Sequence, residues 1–181
     1  MKLRAAFHYH FLLPLIFGLF AYSAEFGHAA DKDCKPPEKI SDLKLKDQYD
    51  RIQKLTFPRT NLTVLTVADQ KGAEQIGSWI APIKERFAQR IDYAGIADVA
   101  KAPSLLRGLV KSKFKKRYTY PVMLDWSGIT VKQFGCEKDK ASLFLIHRDG
   151  TVLLHMSGIA NNSSLEKLFE TIELILPPTR Q

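Results

Sequence analysis

Thiol chemistry in this chain depends on Cys34 and Cys136, the only cysteines among its 181 residues. Two thiols exclude a four-cysteine zinc site and an all-cysteine iron–sulfur cluster, and they allow at most one intramolecular disulfide. A Cys34–Cys136 bridge would close a loop of about a hundred residues, which stabilises a fold by up to roughly 4 to 5 kcal/mol. The alternative is a reactive thiol at Cys136, which requires Lys132 or Lys138 close enough in space to lower its pKa.

The histidines of the second half of the chain offer little to a metal ion. His147 and His155 flank Asp149-Gly150, the strongest short hairpin signal in the sequence. In a two-residue hairpin centred on that pair, His147 faces Val152 and the two imidazoles point to opposite sides of the sheet, so one metal ion cannot readily use both. We therefore expect neither a bound metal nor a cofactor.

The first thirty residues carry a targeting signal. Lys2 and Arg4 precede an apolar stretch at residues 11–24, and Gly27-His28-Ala29 has the small-x-small pattern of a cleavage site. This pattern predicts a signal peptide at residues 1–29 and a periplasmic or secreted mature protein. The alternative is a retained N-terminal membrane anchor, although the apolar stretch is shorter than the roughly 18 to 20 residues that span a bilayer.

The rest of the chain is predicted to be one globular domain behind a short lead-in. Residues 30–41 are mostly polar and contain Pro36-Pro37, which favours a flexible segment. An apolar content of 45% and a charged content of 25% are typical of a folded domain, which we place at residues 42–178. Outside the cytosol, a Cys34–Cys136 disulfide could tie the lead-in to that domain.

Apolar runs typical of strands alternate with apolar stripes typical of helices across this domain. Residues 62–67 are β-branched and nearly all apolar, as a strand buried on both faces must be. Ser163 and Glu166 have the spacing of a capping box at the start of the last helix. Further strands are predicted at residues 43–45, 55–57, 91–96, 121–125, 142–146 and 151–156, and helices at residues 76–87, 103–114 and 163–176. This order gives an α/β layer fold with a mixed sheet.

Several of these segments resemble the redoxins, the thioredoxin-like group that includes alkyl hydroperoxide reductases and thiol-specific antioxidant proteins. The segments that carry the resemblance are Asp42-Leu43-Lys44-Leu45-Lys46-Asp47-Gln48, Ile80-Ala81-Pro82-Ile83, Tyr120-Pro121-Val122-Met123-Leu124-Asp125, Val131-Lys132-Gln133-Phe134-Gly135 and Leu143-Phe144-Leu145-Ile146-His147-Arg148-Asp149-Gly150. The resemblance implies a thioredoxin-like three-layer fold, in which a mixed central sheet has helices on both faces.

The sequence departs from the redoxins where their chemistry takes place. In that group the nucleophilic thiol follows the first central strand at a helix N-terminus, where the helix dipole stabilises a thiolate. The corresponding segment here, residues 68–77, contains Asp69, Lys71 and Glu74 but no cysteine. The proline that usually faces the thiol is also missing from residues 140–142.

Two readings of function follow from these absences. The first is an exported domain without thiol-redox catalysis that acts as a binding or accessory protein in the bacterial envelope. The alternative is a thiol oxidoreductase or peroxidase that uses Cys136, with Cys34 as its resolving partner.

Two features are candidate partner surfaces. Trp126 follows a predicted strand in a turn, where an exposed aromatic side chain could anchor a partner. A basic segment without any acidic residue fits either a solvated helix face or a surface for an anionic envelope component, including peripheral contact with a membrane. For an exported chain of net charge +8 we expect an unknown protein or such an anionic component as partner, and no nucleic acid. The basic segment consists of Arg107, Lys111, Lys113, Lys115, Lys116 and Arg117.

Overall fold

A computed structural model describes residues 35–176 of the chain. The predicted signal peptide, Cys34 and residues 177–181 lie outside this part. The strands are β1 (Leu43–Lys46), β2 (Ile52–Leu55), β3 (Leu62–Ala68), β4 (Ile91–Asp98), β5 (Met123–Asp125), β6 (Ser142–Ile146) and β7 (Val152–Ser157). The α-helices are α1 (Ile76–Phe87), α2 (Arg107–Arg117), α3 (Ile129–Gln133) and α4 (Asn162–Ile175).

Within the described residues, β3 to β7 form one sheet in the order β5-β4-β3-β6-β7. β4 runs parallel to both β3 and β5, whereas β6 is antiparallel to β3 and β7. β1 and β2 form a separate antiparallel pair. The predicted mixed α/β sheet is therefore confirmed, and the almost wholly apolar β3 occupies its centre.

The alternation of side chains along β3 divides the core between the two faces of the sheet. Leu62 and Val64 belong to a cluster with Trp79 and Ile83 of α1 and Leu168 of α4. Trp79 is buried and donates from its indole nitrogen to the carbonyl oxygen of Gly158 at 2.7 Å, which ties α1 to the segment after β7.

The opposite face of β3 carries Leu65 and Val67, which pack with Phe144 of β6 and with Phe134, the residue that follows α3. Leu55 of β2 completes this second cluster. Because α1 and α4 cover one face and α3 covers the other, the predicted arrangement of helices on both faces is confirmed.

A buried glutamine attaches the β1–β2 hairpin to the segment that leads into β5. Gln48 donates from Nε2 to the carbonyl oxygen of Tyr120 at 2.8 Å and accepts at Oε1 from the amide of Val122 at 2.9 Å. One side-chain amide therefore satisfies two backbone groups that no neighbouring strand of the described chain pairs.

The start of the last helix corrects the predicted capping box. Asn161, in extended conformation, accepts at its side chain from the amide of Ser164, and the Ser164 hydroxyl accepts from the amide of Asn161. The cap of α4 therefore lies two residues before the predicted cap Ser163, because asparagine also caps a helix well and lies here at the turn.

The predicted β6–β7 hairpin is present, but its turn is longer than two residues. His155 pairs with Phe144, while a register shift between Leu145 and Ile146 changes the pairing nearer the turn. His147 consequently donates from its backbone amide to the carbonyl of Thr151, and not to its predicted neighbour Val152.

Candidate functional site

The junction between β3 and α1 is the position at which the redoxin resemblance places a nucleophilic thiol. β3 ends at Ala68, and a single 3-10 turn, Gly72–Glu74, separates it from the start of α1 at Ile76. The loop of residues 139–141, directly before β6, lies against this turn. No side chain of the junction is a thiol.

Asp69 links the junction to that loop. Its Oδ1 accepts from the amide of Gly72 and its Oδ2 from the amide of Asp139, each at 2.9 Å. Burial raises the pKa of Asp69, but the hydrogen bonds from the amides of Gly72, Asp139 and Lys71 outweigh it, so the pKa lies below its ordinary value. The carboxylate is therefore held in its charged form as a structural acceptor.

Gly72 occupies a position of the junction where the neighbouring backbone leaves no room for a side chain. A Cβ atom added at this buried glycine would lie 2.5 Å from the carbonyl carbon of Lys140 and 2.9 Å from the amide nitrogen of Ala141. Real side chains do not approach backbone atoms so closely. Because backbone packs directly on backbone here, position 72 has no room for a side chain.

Gln75, on the other side of the turn, also binds the loop at residues 139–141. Its Nε2 donates to the carbonyl oxygen of Asp139 at 3.0 Å, and its Oε1 accepts from the amide of Ala141 at 3.0 Å. These are the carbonyl and amide, two residues apart, that an added strand would use to pair with the loop. The loop is thus satisfied by the chain's own side chain.

Sequence reasoning identified the segment but missed the roles of Gly72 and Gln75. The partners of Gln75 are 64 and 66 residues away along the chain, those of Gly72 are Lys140 and Ala141, and no local pattern marks such contacts. A glycine and a glutamine directly before the apolar stripe of a helix were the available signal.

The other two predicted residues of this segment face outward. The Nζ of Lys71 lies 3.3 Å from the Oδ2 of Asp139, and its side chain is mostly exposed. Glu74 is exposed, and within residues 35–176 its carboxylate makes no hydrogen bond or ion pair. Asp69 and Lys71 therefore meet at Asp139, whereas Glu74 does not take part.

Cys136 does not lie at this junction. It follows α3, is half-buried, and packs against the cluster that contains Phe134 and Phe144, on the face of the sheet opposite α1. Since Cys34 lies outside the described residues, the predicted Cys34–Cys136 disulfide stays a prediction.

Solved structures share this arrangement of strands and helices. A putative thiol:disulfide interchange protein DsbE from Chlorobium tepidum aligns with a TM-score of 0.59 and 20% identity, over 77% of this chain and 96% of that chain. The peroxidoxin BcpB from Mycobacterium tuberculosis aligns with a TM-score of 0.56 and 20% identity, over 78% of this chain and 98% of that chain. The exposed lipoprotein thioredoxin Etrx1 from Streptococcus pneumoniae aligns with a TM-score of 0.55 and 12% identity, over 72% of this chain and 98% of that chain.

The fold is thioredoxin-like. No protein-family model and no curated protein sequence matches the chain. The likeness is therefore one of fold, and the chemistry of this thioredoxin-like domain must be argued from its own residues.

The second candidate surface of the thioredoxin-like domain is α2. Val110 and Phe114 pack toward the cluster formed by Val99, Val122 and Leu124. Trp126 is half-buried beside the same cluster, and the guanidinium carbon of Arg107 lies 5.1 Å from the centre of its ring. Trp126 is thus an internal contact for Arg107, and not the freely exposed anchor that its turn position suggested.

The structure divides the six basic residues of α2 into two groups. Four contact other side chains: Arg107 contacts Trp126, Lys111 pairs with Asp50 at 2.5 Å, Lys115 lies over Tyr49, and Arg117 lies over Tyr118. Lys113 and Lys116 make no ion pair, hydrogen bond or ring contact with any other residue of the described chain. Only these two cations of α2 are available to a partner without breaking a contact.

Other candidate sites in the thioredoxin-like domain are weaker. A surface depression of about 600 Å³ lies at the amino-terminal ends of β3 and β4, lined by Arg59, Lys84, Asp92 and Tyr93, far from Asp69. Between residues 35 and 176, no cluster of three histidine, cysteine or acidic side chains could hold a metal ion. None of the helices described here is long and apolar enough to cross a membrane.

Proposed function

We propose that this chain is an exported thioredoxin-like protein that acts as a binding or accessory protein in the bacterial envelope, without thiol-redox catalysis. The observation that carries the proposal is the closed β3–α1 junction, where Gly72 packs on the backbone of Lys140 and Ala141. Disulfide exchange requires a thiolate that can reach the substrate sulfur, and no other side chain replaces it.

The hydrogen bonds of the loop at residues 139–141 support the same conclusion. A peptide substrate held at this edge would need free backbone groups on the loop. Gln75 already occupies the carbonyl of Asp139 and the amide of Ala141, and Asp69 occupies the amide of Asp139. Binding a peptide there would require these bonds to break.

The location of Cys136 argues against the competing enzyme. Its sulfur lies on the opposite face of the sheet from α1, away from the helix N-terminus that stabilises a thiolate in redoxins. A disulfide to Cys34 would instead fasten the lead-in to the domain. In that role the two cysteines contribute stability and not catalysis.

Catalysis is tested with the full chain and two matched variants, Cys136→Ser and Cys34→Ser. We expect dithiothreitol-driven reduction of insulin and consumption of hydrogen peroxide to proceed at the buffer rate in all three proteins. Thiol titration of the denatured, unreduced chain is expected to detect no free thiol, because the two cysteines are paired. Catalysis by the unchanged chain that Cys136→Ser abolishes would establish the alternative thiol enzyme.

Export is tested separately by cell fractionation and N-terminal sequencing. We expect a mature protein in the periplasm or medium that begins directly after Ala29. A protein that keeps residues 1–29 and sediments with the membrane would show the anchored form instead. Recovery from the cytosol with an intact N-terminus would contradict the envelope role.

A further inference from the structure

We propose that one face of α2 and of the turn before it docks on the surface of an anionic lipid bilayer. The docking face consists of Leu105, Leu109, Lys113 and Lys116. The inference rests on the proposed envelope location only for its biological setting, since lipid binding is measurable on the purified chain. Redox assays and lipid-binding assays can therefore fail independently.

The first observation is an apolar end of the face that nothing in the described chain covers. Leu105 and Leu109 leave 91% and 54% of their surface exposed, and Leu106 beside them leaves 43%. The sequence places all three in an apolar stripe with Val110 and Phe114, yet only those two pack inward. Exposed leucines grouped on one short segment are a costly surface in water and typical of an interaction site.

The second observation is the alignment of the free cations with these leucines. Positions 109, 113 and 116 of α2 follow one another at spacings of four and three residues, which places them on one side of the helix, and Leu105 lies in the 3-10 turn Ser104–Leu106 directly before it. Val110 and Phe114 define the opposite, inward side. Lys113 and Lys116 are the α2 cations without a contact in the described chain, so they extend from the same side as the leucines.

The third observation is the sign of the surrounding charge. No acidic residue occurs in the sequence between Asp98 and Asp125. Asp50, which approaches α2 from the β1–β2 hairpin, is already paired with Lys111. Lys115 and Arg117 lie at the flanks of the face, over Tyr49 and Tyr118. The face is therefore uniformly positive and complementary to anionic headgroups.

The chemistry of the face favours a bilayer over a protein partner. Protein interfaces concentrate their binding energy in tryptophan, tyrosine and arginine, whereas lysine and leucine contribute less often. The tryptophan and both arginines of this region are engaged in internal contacts. Exposed leucines and exposed lysines need no complementary pocket on a fluid lipid surface, where leucine enters the interface and lysine binds phosphate.

The test measures lipid contact at the face itself, because the apolar N-terminal stretch could also bind lipid. The full chain carrying Leu109→Trp is mixed with phosphatidylethanolamine–phosphatidylglycerol vesicles that contain a brominated lipid. We expect the fluorescence of the introduced indole to be quenched, and phosphatidylcholine vesicles to quench it far less. Leu174→Trp is the matched control, because Leu174 is 87% exposed on α4 and lies outside the face.

The contribution of the two free lysines to lipid binding is tested by removing their charges. Lys113→Gln with Lys116→Gln, in the Leu109→Trp chain, should weaken the apparent affinity by about 25-fold, as the product of about fivefold per lysine. Lys44→Gln with Lys54→Gln removes the same charge from an exposed cross-strand pair of β1 and β2 and should leave the affinity unchanged. Circular dichroism verifies that every variant folds.

Three results would overturn the proposal. The first is equal quenching in the Leu109→Trp and Leu174→Trp chains. The second is equal weakening by both lysine pairs, which would reduce the effect to net charge. The third is no quenching by anionic vesicles, whether or not an acidic protein binds the immobilised chain instead. Quenching that depends on Lys113 and Lys116 and falls with added salt supports docking.

Discussion

The side-chain oxygen of Gln75 accepts a hydrogen bond from the backbone amide of Ala141 at 3.0 Å, across 66 residues of sequence. With the bond from Gln75 Nε2 to the carbonyl of Asp139, it fastens the start of α1 to the loop before β6. In a thioredoxin-like fold this is the edge at which the resemblance places redox chemistry. Here the edge is an internal joint of the domain.

Gly72→Ala tests the close packing of this joint. The added methyl group would overlap the backbone of Lys140 and Ala141, which has little freedom to move, so we expect a loss of about 2 to 3 kcal/mol in the free energy of unfolding. Urea denaturation measures it. Gly77→Ala is the control: Gly77 lies in α1 with nothing near its Cβ, so alanine there should stabilise the protein by up to about 1 kcal/mol. Equal effects at both glycines would refute the packing argument.

Gln75→Ala tests the hydrogen bonds of the joint. Losing both bonds leaves a buried amide at Ala141 without its partner, which should cost about 1 to 3 kcal/mol. Hydrogen exchange should accelerate at the Ala141 amide, while amides in β3 keep their protection relative to global unfolding. Gln70→Ala, at an exposed residue of the β3–α1 segment, should change neither the free energy of unfolding nor the exchange rate at Ala141. Unchanged exchange at Ala141 in the Gln75 variant would contradict the assigned role.

Asp69→Asn tests the pH dependence of the joint. Because backbone amides lower the pKa of Asp69 from its ordinary value of 3.8 in the folded state, its charge stabilises the fold above that value. This contribution is lost as the pH falls from about 4 through the folded pKa. As the pH is lowered from about 5 to about 3, the free energy of unfolding of the unchanged chain should therefore fall more than that of Asp69→Asn. Glu74→Gln, at the exposed carboxylate of the same segment, serves as control in parallel denaturation curves.

His155→Phe tests a half-buried histidine in β7. The imidazole stacks on Phe144 with ring centres 4.5 Å apart, and its Nε2 is buried without a hydrogen-bond partner in the described chain. Burial lowers the pKa of His155 from its ordinary value of 6.5, and the Glu137 carboxylate acts in the opposite direction. The unfolded chain thus binds the proton more readily, so stability should decline as the pH falls from 6.5 through the folded pKa.

In His155→Phe, the loss of stability caused by protonation of His155 below pH 6.5 should disappear. Thermal unfolding of both proteins across this pH range measures the difference. An NMR titration of the unchanged chain provides the direct measurement, with His147→Gln used to assign the two imidazole signals. A His155 pKa at or above 6.5 would show that the ring is not desolvated as the structure describes.

Asn161→Ala tests the observed start of α4. Removing the side-chain acceptor for the Ser164 amide should cost about 1 kcal/mol in the free energy of unfolding. Ser163→Ala alters the residue that the sequence pattern marks as the cap. It should lower the free energy of unfolding by only about 0.3 kcal/mol. Chemical denaturation of the two variants side by side distinguishes the two caps. A larger loss at Ser163 would restore the sequence-based assignment.

The elements that the sequence predicts best are those with strong local periodicity. The runs of apolar residues in β3 and β6 reflect burial on both faces of the sheet, and both strands appear where predicted. The stripe of α1 is likewise correct, because a helix buries residues at a fixed spacing. The start of α4 was misplaced, since asparagine and serine compete for the same cap and only geometry selects between them.

The same limit applies to α2. Its apolar residues predict a helix, which is present, but the pattern does not say which of them meets the sheet. Val110 and Phe114 are turned inward by the position of α2 over β5, and Leu105 and Leu109 are left outside. The division of the basic residues into engaged and free cations depends on the same orientation.

The sequence by itself determined the layered α/β order and the absence of a thiol from the β3–α1 segment, because both follow from the identity and spacing of neighbouring residues. Only the tertiary structure decided that Gly72, Asp69 and Gln75 close this segment against the loop at residues 139–141. It also decided that Lys113 and Lys116 remain free beside exposed leucines. Contacts between residues more than sixty positions apart arise from how the chain packs, and no local pattern encodes them.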